Sequence, residues 1–213
     1  MKALATILSI CLTLTVWCWG SASEERSQPP KGNSTAVTPL GKPDKTQEVT
    51  GYYRVKRGES LSSIAAKDRV YGDPLKWPIL YRHNMGKIGE LQLVQDFLDR
   101  ELPEGVMLKI ITPDEARENL RGKATHTWTT NVLSATTQQA LISSAIRLMR
   151  EGYPVYLTSA TVRGRNWIRL RVGFFKSRFE ADLERNKIDA LLSIRNSWVT
   201  KVGKEELAEF GGY

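Results

Sequence analysis

Residues 166–175 alternate apolar and polar side chains with a period of two over most of their length. On a strand, such a period places alternate side chains on opposite faces of the sheet. The aliphatic set consists of Ile168, Leu170 and Val172. The set on the other face consists of Trp167, Arg169 and Arg171. An antiparallel sheet can bury one face and leave the other in water. The stretch therefore predicts a strand whose aliphatic face lies under helices and whose Trp/Arg face is open.

Two interpretations of the polar set stay open at this point. A Trp beside two Arg residues on an open sheet is typical of a recognition surface. An ordinary half-exposed strand, with Arg stems covering the Trp ring, would show the same pattern. Arg171 is in phase with the other two and is equally compatible with a solvated position.

The flanking segments predict a complete α+β domain over residues 127–213. Strands are expected at residues 128–134, 155–160, 166–175 and 197–202. Thr136 or Thr137 is expected to cap a helix that ends at Gly152, and a Ser-x-x-Glu capping box opens a helix over residues 177–192. The order βαββαβ gives a four-stranded antiparallel sheet with both helices on one face.

Residues 51–112 predict a second, smaller unit with the order βααβ. Its strands are expected at residues 52–57 and 106–110, with helices after Ser60 and after Asp73. Residues 85–102 form an insertion before the second strand, and residues 113–126 hold a short helix and a connection.

The N-terminus has the pattern of a targeting segment followed by a tether. Lys2 precedes an apolar run over residues 3–19 and a small-residue site, which predicts a signal peptide over residues 1–22 and a periplasmic or exported protein. The alternative is an uncleaved inner-membrane anchor formed by residues 3–19. Residues 23–50 are rich in Ser, Thr, Pro, Gly and Lys and predict a flexible linker.

The remaining composition argues against metal, thiol and cofactor chemistry. Cys11 and Cys18 both lie in the targeting segment, so the exported part has no disulfide and no thiolate nucleophile. His83 and His126 lack metal-ligand spacing and are expected at surface positions. No metal or cofactor is predicted.

The same composition offers no catalytic constellation. The insertion carries acidic residues that could form a glycosidase pair, although a solvated face is favoured: Asp96, Asp99, Glu101 and Glu104. The chain is therefore predicted not to be an enzyme.

The net charge of +8 raises nucleic acid as a partner, but two observations oppose it. The βαββαβ order is shared with RNA-binding RRM modules, yet the Gly- and aromatic-rich RRM signature is missing. An export signal also removes most nucleic-acid partners. The charge better suits an acidic cell envelope, and a membrane contact is expected only if the N-terminal segment is retained.

Residues 53–84 resemble a LysM domain, a βααβ module that binds N-acetylglucosamine-containing glycans. The resemblance rests on residues 53–66, Tyr-Arg-Val-Lys-Arg-Gly-Glu-Ser-Leu-Ser-Ser-Ile-Ala-Ala, on Tyr-Gly-Asp-Pro at 71–74, and on Trp-Pro-Ile-Leu-Tyr at 77–81 with Asn84. Glu59 stands where the family usually has Asp, and the long insertion replaces a short loop. The resemblance implies a sugar site at the first strand–helix loop, formed by Gly58, Glu59, Ser60 and Leu61.

Residues 128–202 resemble a SPOR domain, an RRM-like module that binds peptidoglycan glycan strands lacking stem peptides, often at division sites. The matching residues are Gly-Tyr-Pro-Val at 152–155 and the Trp-Ile-Arg-Leu-Arg-Val-Gly-Phe-Phe-Lys-Ser run at 167–177. The usual Gly-aromatic end of the first strand is replaced by Leu-Ser-Ala at 133–135. The resemblance implies glycan contacts at Trp167, Arg169, Asn131 and Ser134, and Tyr156 on the neighbouring strand is expected to extend the platform.

Together these features predict a non-catalytic, peptidoglycan-binding protein of the cell envelope. An indole face packs against the C–H patch of a sugar ring, while Arg and Asn offer hydrogen-bonding partners to its hydroxyl and acetamido groups. The alternative is an envelope adaptor whose LysM-like domain docks a cell-wall enzyme or division protein. A hydrolase that uses the acidic insertion is a third possibility.

Overall fold

The computed structural model of the protein describes residues 51–88 and 96–213. The expectations for the signal peptide or anchor, the linker and residues 89–95 of the insertion lie outside the described residues. Within those residues, no helix has the length and apolar character needed to cross a membrane.

The N-terminal part runs strand, helix, helix, short helix, strand. Its elements are β1 Tyr52–Arg54, α1 Leu61–Ala65, a 3-10 turn Pro74–Lys76, α2 Trp77–Arg82, α3 Met85–Ile88 and β2 Met107–Lys109. The two strands pair antiparallel, with Tyr53 opposite Leu108. Both of these side chains are buried, whereas Tyr52 and Met107 point outwards and are exposed.

The end of the insertion belongs to the core. Phe97 and Leu98 are almost fully buried. The Phe97 ring meets Trp77 and Tyr81 edge-on, at centroid distances of 6.1 and 5.7 Å. Edge-to-face aromatic packing of this kind adds to the burial of apolar area. The insertion therefore contributes to the stability of this part.

The C-terminal part has the predicted four-stranded antiparallel sheet. Its elements are α4 Pro113–Arg121, β3 Trp128–Ala135, α5 Ile142–Arg150, β4 Val155–Val162, β5 Arg165–Phe175, α6 Arg178–Leu192 and β6 Trp198–Lys201. The strand order is β4-β5-β3-β6. Leu170 and Val172 of β5 are fully buried, as the alternation predicts.

The two predicted helix starts differ in outcome. The Ser177 hydroxyl accepts the Glu180 N–H at 3.1 Å, so the predicted cap of α6 is confirmed. The second half of the predicted capping box is wrong, because the Glu180 carboxylate accepts from the Lys176 N–H and not from Ser177. The predicted caps at Thr136 or Thr137 are wrong. There a 3-10 turn, Gln139–Leu141, leads into α5, which has no side-chain cap. Burial of Leu141, Ile142 and the rest of the apolar face fixes this helix instead.

A seventh helix, which the strand pattern did not predict, changes the second face of the sheet. α7, Lys204–Phe210, follows β6, and its Phe210 ring stacks on Tyr156 of β4 with a centroid distance of 5.0 Å. The expectation that this whole face is open is therefore wrong.

The chain end ties α7 to α4 through two glycines. The Gly211 carbonyl accepts from Lys123 Nζ at 2.9 Å, and the Gly212 carbonyl accepts from Asn119 Nδ2 at 2.9 Å. A Cβ atom at Gly212 would lie 2.1 Å from the Ala116 carbonyl oxygen. Only glycine allows this approach to α4.

We expect Gly212→Ala to lower the free energy of unfolding by about 1–3 kcal/mol, the range of an overpacked contact. Urea or thermal denaturation measures the change. Gly86→Ala is the matched control, because Gly86 is exposed in α3 and nothing lies within 4 Å of its added Cβ. Alanine is the better helix former, so the control should be neutral or slightly stabilising. Equal effects of the two changes would contradict the close approach.

His83 and His126 are partly buried, which differs from the surface positions expected for them. Burial, together with the positive charges of Arg82 and Lys109, lowers the pKa of His83 from 6.5 to about 4. The folded protein therefore holds this imidazole neutral where the unfolded chain would protonate it.

The His83 shift predicts an acid-sensitive stability. As the pH falls from 6.5 towards 4, the unfolded chain takes up a proton that the folded protein does not, so stability is lost in that window. His83→Gln should flatten this part of the curve of melting temperature against pH. His126→Gln, which removes the other histidine, should keep the His83 contribution. An unchanged curve for His83→Gln would contradict the prediction.

Candidate functional site

The register of the sheet places the predicted site residues in three adjacent rows of the face opposite α5 and α6. Directly opposed residues of an antiparallel pair point to the same side. A bulge in β3 between Asn131 and Leu133 keeps both Asn131 and Ser134 on this face. The covered row holds Tyr156, Arg171 and Asn131, the middle row holds Thr158, Arg169 and Ser134, and the outer row holds Ala160 and Trp167.

The covered row lies under α7 and is tied to it by one carboxylate. Arg171 Nη1 donates to the two carboxylate oxygens of Glu206 at 2.5 and 2.7 Å. The Tyr156 hydroxyl lies 2.8 Å from Glu206 Oε1. Burial, and then the negative charge of Glu206, raise the pKa of Tyr156 far above its ordinary value. Arg171, which could have been solvated, is thus a buried partner of α7.

Two predicted contact residues have no surface to offer in this arrangement. Tyr156 is 4% exposed and packs between Phe174 and Phe210. Asn131 is fully buried, and its Nδ2 donates to Ser134 Oγ at 3.3 Å. Asn131 Oδ1 has no hydrogen-bond partner among residues 51–88 and 96–213. Asn131 therefore has no side-chain surface, and its link to the accessible part of the face is the hydrogen bond to Ser134.

The middle and outer rows contain the predicted residues that remain accessible. Ser134 is exposed, and Trp167 and Arg169 are partly exposed. The guanidinium of Arg165 lies over the Trp167 ring at 5.1 Å, which is a cation–π contact. On this face, the neutral polar side chains of Thr158 and Ser134 lie directly opposite Arg169. A cavity of about 370 Å³ beside the indole is lined partly by Thr161 and Asn166, which alternate with Trp167 and belong to the other face. The structure therefore places an aromatic ring, guanidinium groups and neutral polar groups at one end of the sheet.

Trp198 is a further aromatic residue on this face that the strand pattern alone did not single out. It lies on β6 directly opposite Asn131 and is 44% exposed. The signal was present in the sequence, since Trp198 is followed on the predicted strand by the aliphatic Val199, and neighbouring residues of a strand point to opposite faces. Trp198 stands at one edge of the face and Trp167 at its outer end.

The four residues predicted in the N-terminal loop differ widely in exposure. Gly58 is exposed with a φ of +79°, whereas Glu59 and Ser60 are buried and Leu61 is fully buried in the core. Ser60 caps α1 by accepting from the Ser63 N–H. Leu61 therefore has no side-chain surface for a ligand.

Glu59 is held by three groups, one each from β1, from its own loop and from the segment that follows α1. The Tyr53 hydroxyl donates to it at 2.7 Å, the Lys56 N–H at 2.8 Å, and Lys67 Nζ lies 3.1 Å away. Burial alone would raise the pKa of Glu59, but these partners outweigh it and hold the pKa below its usual value. The carboxylate stabilises the loop as an anion.

The end of the insertion packs onto this same loop. The Leu102 N–H donates to the Glu59 carbonyl at 2.8 Å, and Ser62 Oγ donates to Asp99 at 2.9 Å. The acidic residues proposed for a glycosidase pair, namely Asp96, Asp99, Glu101 and Glu104, are all exposed. Among the residues that the structure describes, no group of three or more His, Cys, Asp or Glu side chains could hold a metal ion.

The sheet topology and the Trp/Arg end define a βαββαβ binding module. The SPOR domain family matches residues 124–201, so this part of the chain is a SPOR domain. SPOR domains bind peptidoglycan, are binding rather than catalytic modules, and occur in envelope proteins. No curated protein and no solved structure matches the chain.

The buried ion pair under α7 gives a prediction for Glu206. Glu206→Gln keeps the size of the side chain but leaves the guanidinium of Arg171 without an anion. We expect a loss of about 1–3 kcal/mol in the free energy of unfolding, the cost of a poorly satisfied buried group. Glu205→Gln changes the exposed neighbour and should stay within about 0.5 kcal/mol. Equal unfolding midpoints for both variants would contradict the assigned pair.

Proposed function

We propose that the protein is a non-catalytic peptidoglycan-binding protein of the cell envelope. Its SPOR domain binds glycan strands that lack stem peptides. The match over residues 124–201 supports a peptidoglycan ligand. The observation that carries the proposal is the free end of the sheet, where Trp167 and Arg169 stay accessible although α7 covers the neighbouring row.

The accessible groups suit a sugar polymer in their chemistry. The Trp167 indole offers a flat apolar surface to a pyranose ring. Arg169, flanked by Thr158 and Ser134 in its row, offers a planar donor group to ring substituents. Trp198 extends the aromatic surface across the sheet. Asn131 and Tyr156 act from below, as supports of Ser134 and of the covered row.

The domain assignment belongs to the same proposal. We take residues 1–22 as a signal peptide, residues 23–50 as a linker, residues 51–112 as a LysM-like domain, and residues 127–213 as the SPOR domain with its appended α7. The chain is then exported to the periplasm or, with residues 3–19 retained, anchored in the inner membrane.

A second candidate role concerns the LysM-like domain. Sugar binding there would rely on Gly58 and on backbone groups, because Glu59, Ser60 and Leu61 are buried. The packing of the insertion against this loop favours the alternative, in which the domain docks a cell-wall enzyme or division protein. The exposed Tyr52 and Met107 side chains on the β1–β2 pair are the surface for that contact.

Co-sedimentation with intact and amidase-stripped sacculi tests the SPOR assignment. We expect the full chain to prefer stripped sacculi, because amidase treatment exposes strands without stem peptides. Equal retention on both preparations would contradict the proposed ligand.

Cross-linking with and without sacculi then separates a docking role of the LysM-like domain from glycan binding, since a docked protein would be captured in both cases.

Trp167→Ala separates binding from folding. Stacking on an aromatic ring is worth about 1–3 kcal/mol for a base, and a sugar ring should fall in the lower part of that range. Retention on stripped sacculi should therefore fall roughly five- to tenfold, while the melting temperature barely moves. Leu170→Ala is the opposite control, since truncation of a fully buried Leu costs about 2–5 kcal/mol of stability. If Trp167→Ala unfolds the protein while binding per folded molecule stays unchanged, the assignment of Trp167 to the open face and of Leu170 to the buried face is wrong.

A further inference from the structure

Three Arg residues lie in the β4–β5 turn and on β5, between the turn and the middle row of the face. Arg163 and Gly164 form the turn between β4 and β5, both with positive φ, and Arg165 and Arg169 follow on β5. None of the three Arg residues forms an ion pair with residues 51–88 or 96–213. The sequence has no Asp or Glu between Glu151 and Glu180. This end of the sheet is therefore positive.

Other Arg residues of the same domain are paired. Arg171 pairs with Glu206, Arg178 with Asp182, and Arg185 with Asp189. A neutral sugar needs an aromatic face and hydrogen-bonding groups, and Trp167 together with Ser134 and Thr158 on the same face supplies both. Recognition of a neutral sugar does not require three guanidinium groups that lack acidic partners. A guanidinium is the side chain best matched to a carboxylate, which it can bind through two parallel hydrogen bonds.

The surroundings give this positive end a sharp boundary. On the side of α7, a cavity of about 260 Å³ beside Thr158 is lined by Asp73, Glu205, Glu206 and Glu209. A ligand carboxylate is repelled there and attracted at the β4–β5 turn. The charge gradient therefore runs along the face from α7 to the turn.

We propose that the free end of the sheet binds an acidic sugar, with Arg165 and Arg169 receiving its carboxylate while Trp167 stacks on a ring. This inference rests on the proposed function and identifies a carboxylate as the chemical group of the glycan that the site recognises. A muramyl residue without a stem peptide carries a free lactyl carboxylate, whereas an attached peptide converts that group to a neutral amide. Preference for strands without stem peptides then arises from charge recognition.

The test compares three ligands for the full chain. They are purified peptide-free glycan strands, the same strands with their lactyl carboxylates converted to methylamides, and neutral N-acetylglucosamine oligomers. We expect methylamidation to weaken binding about tenfold, since a charge-assisted hydrogen bond is lost. The neutral oligomers should bind as weakly as the methylamidated strands.

Variants connect the discrimination to particular residues. Arg165→Gln and Arg169→Gln should each weaken binding to the free-carboxylate strands and reduce their advantage over the methylamides. Arg178→Gln removes an exposed Arg of α6 and is the matched control, which should keep the full advantage.

The outcomes separate this inference from the proposed function. If methylamidated and free strands bind equally tightly, carboxylate recognition is wrong and glycan binding stands. If Arg178→Gln weakens binding as much as Arg165→Gln, general charge attraction replaces the site and the inference is wrong. If the unaltered chain binds neither strands nor sacculi, the proposed function fails, and the inference fails with it.

Discussion

The ion pair between Arg171 and Glu206 decides how much of the sheet can meet a ligand. A guanidinium on the central strand β5 stays buried only with an anion beside it, and α7 supplies that anion. The same helix brings Phe210 onto Tyr156. Lys76 of the N-terminal part in turn pairs with Glu209 of α7 at 3.3 Å. This short helix thus covers the Arg171 row of the face and joins it to the N-terminal part.

Local patterns predicted the parts of the fold that depend on local physics. The alternation of β5 predicted which side chains are buried, because Leu170 and Val172 carry enough apolar area to fix a face. The Ser177 cap predicted the start of α6, because the cap hydrogen bond spans three residues. The alternation of β5 also predicted that Trp167 and Arg169 share the face opposite Leu170, and both lie on the accessible part of that face.

The covering helix could not be predicted in the same way. α7 has seven residues and four charged side chains, so its own sequence gives a weak helical signal. Its position depends on Arg171 and Tyr156, which lie 35 and 50 residues away along the chain. The insertion shows the same limit. Phe97 lies in the predicted insertion, but its packing against Trp77 and Tyr81 depends on tertiary contacts that the local sequence does not encode. Sequence therefore predicted the candidate residues and overestimated how many are free.

The partial cover also gives the face a direction. α7 leaves the row of Arg169 and Ser134 and the row of Trp167 accessible, and it brings Glu205 and Glu209 to the boundary beside Thr158. The β4–β5 turn places Arg163 and Arg165 at the other end. At ordinary ionic strength these charges act over roughly 8–10 Å, so in the proposed complex each end would influence the sugar unit bound beside it. A glycan strand with a carboxylate on alternate sugars would then be held in one register, with its acidic residue at the turn and its neutral residue towards α7.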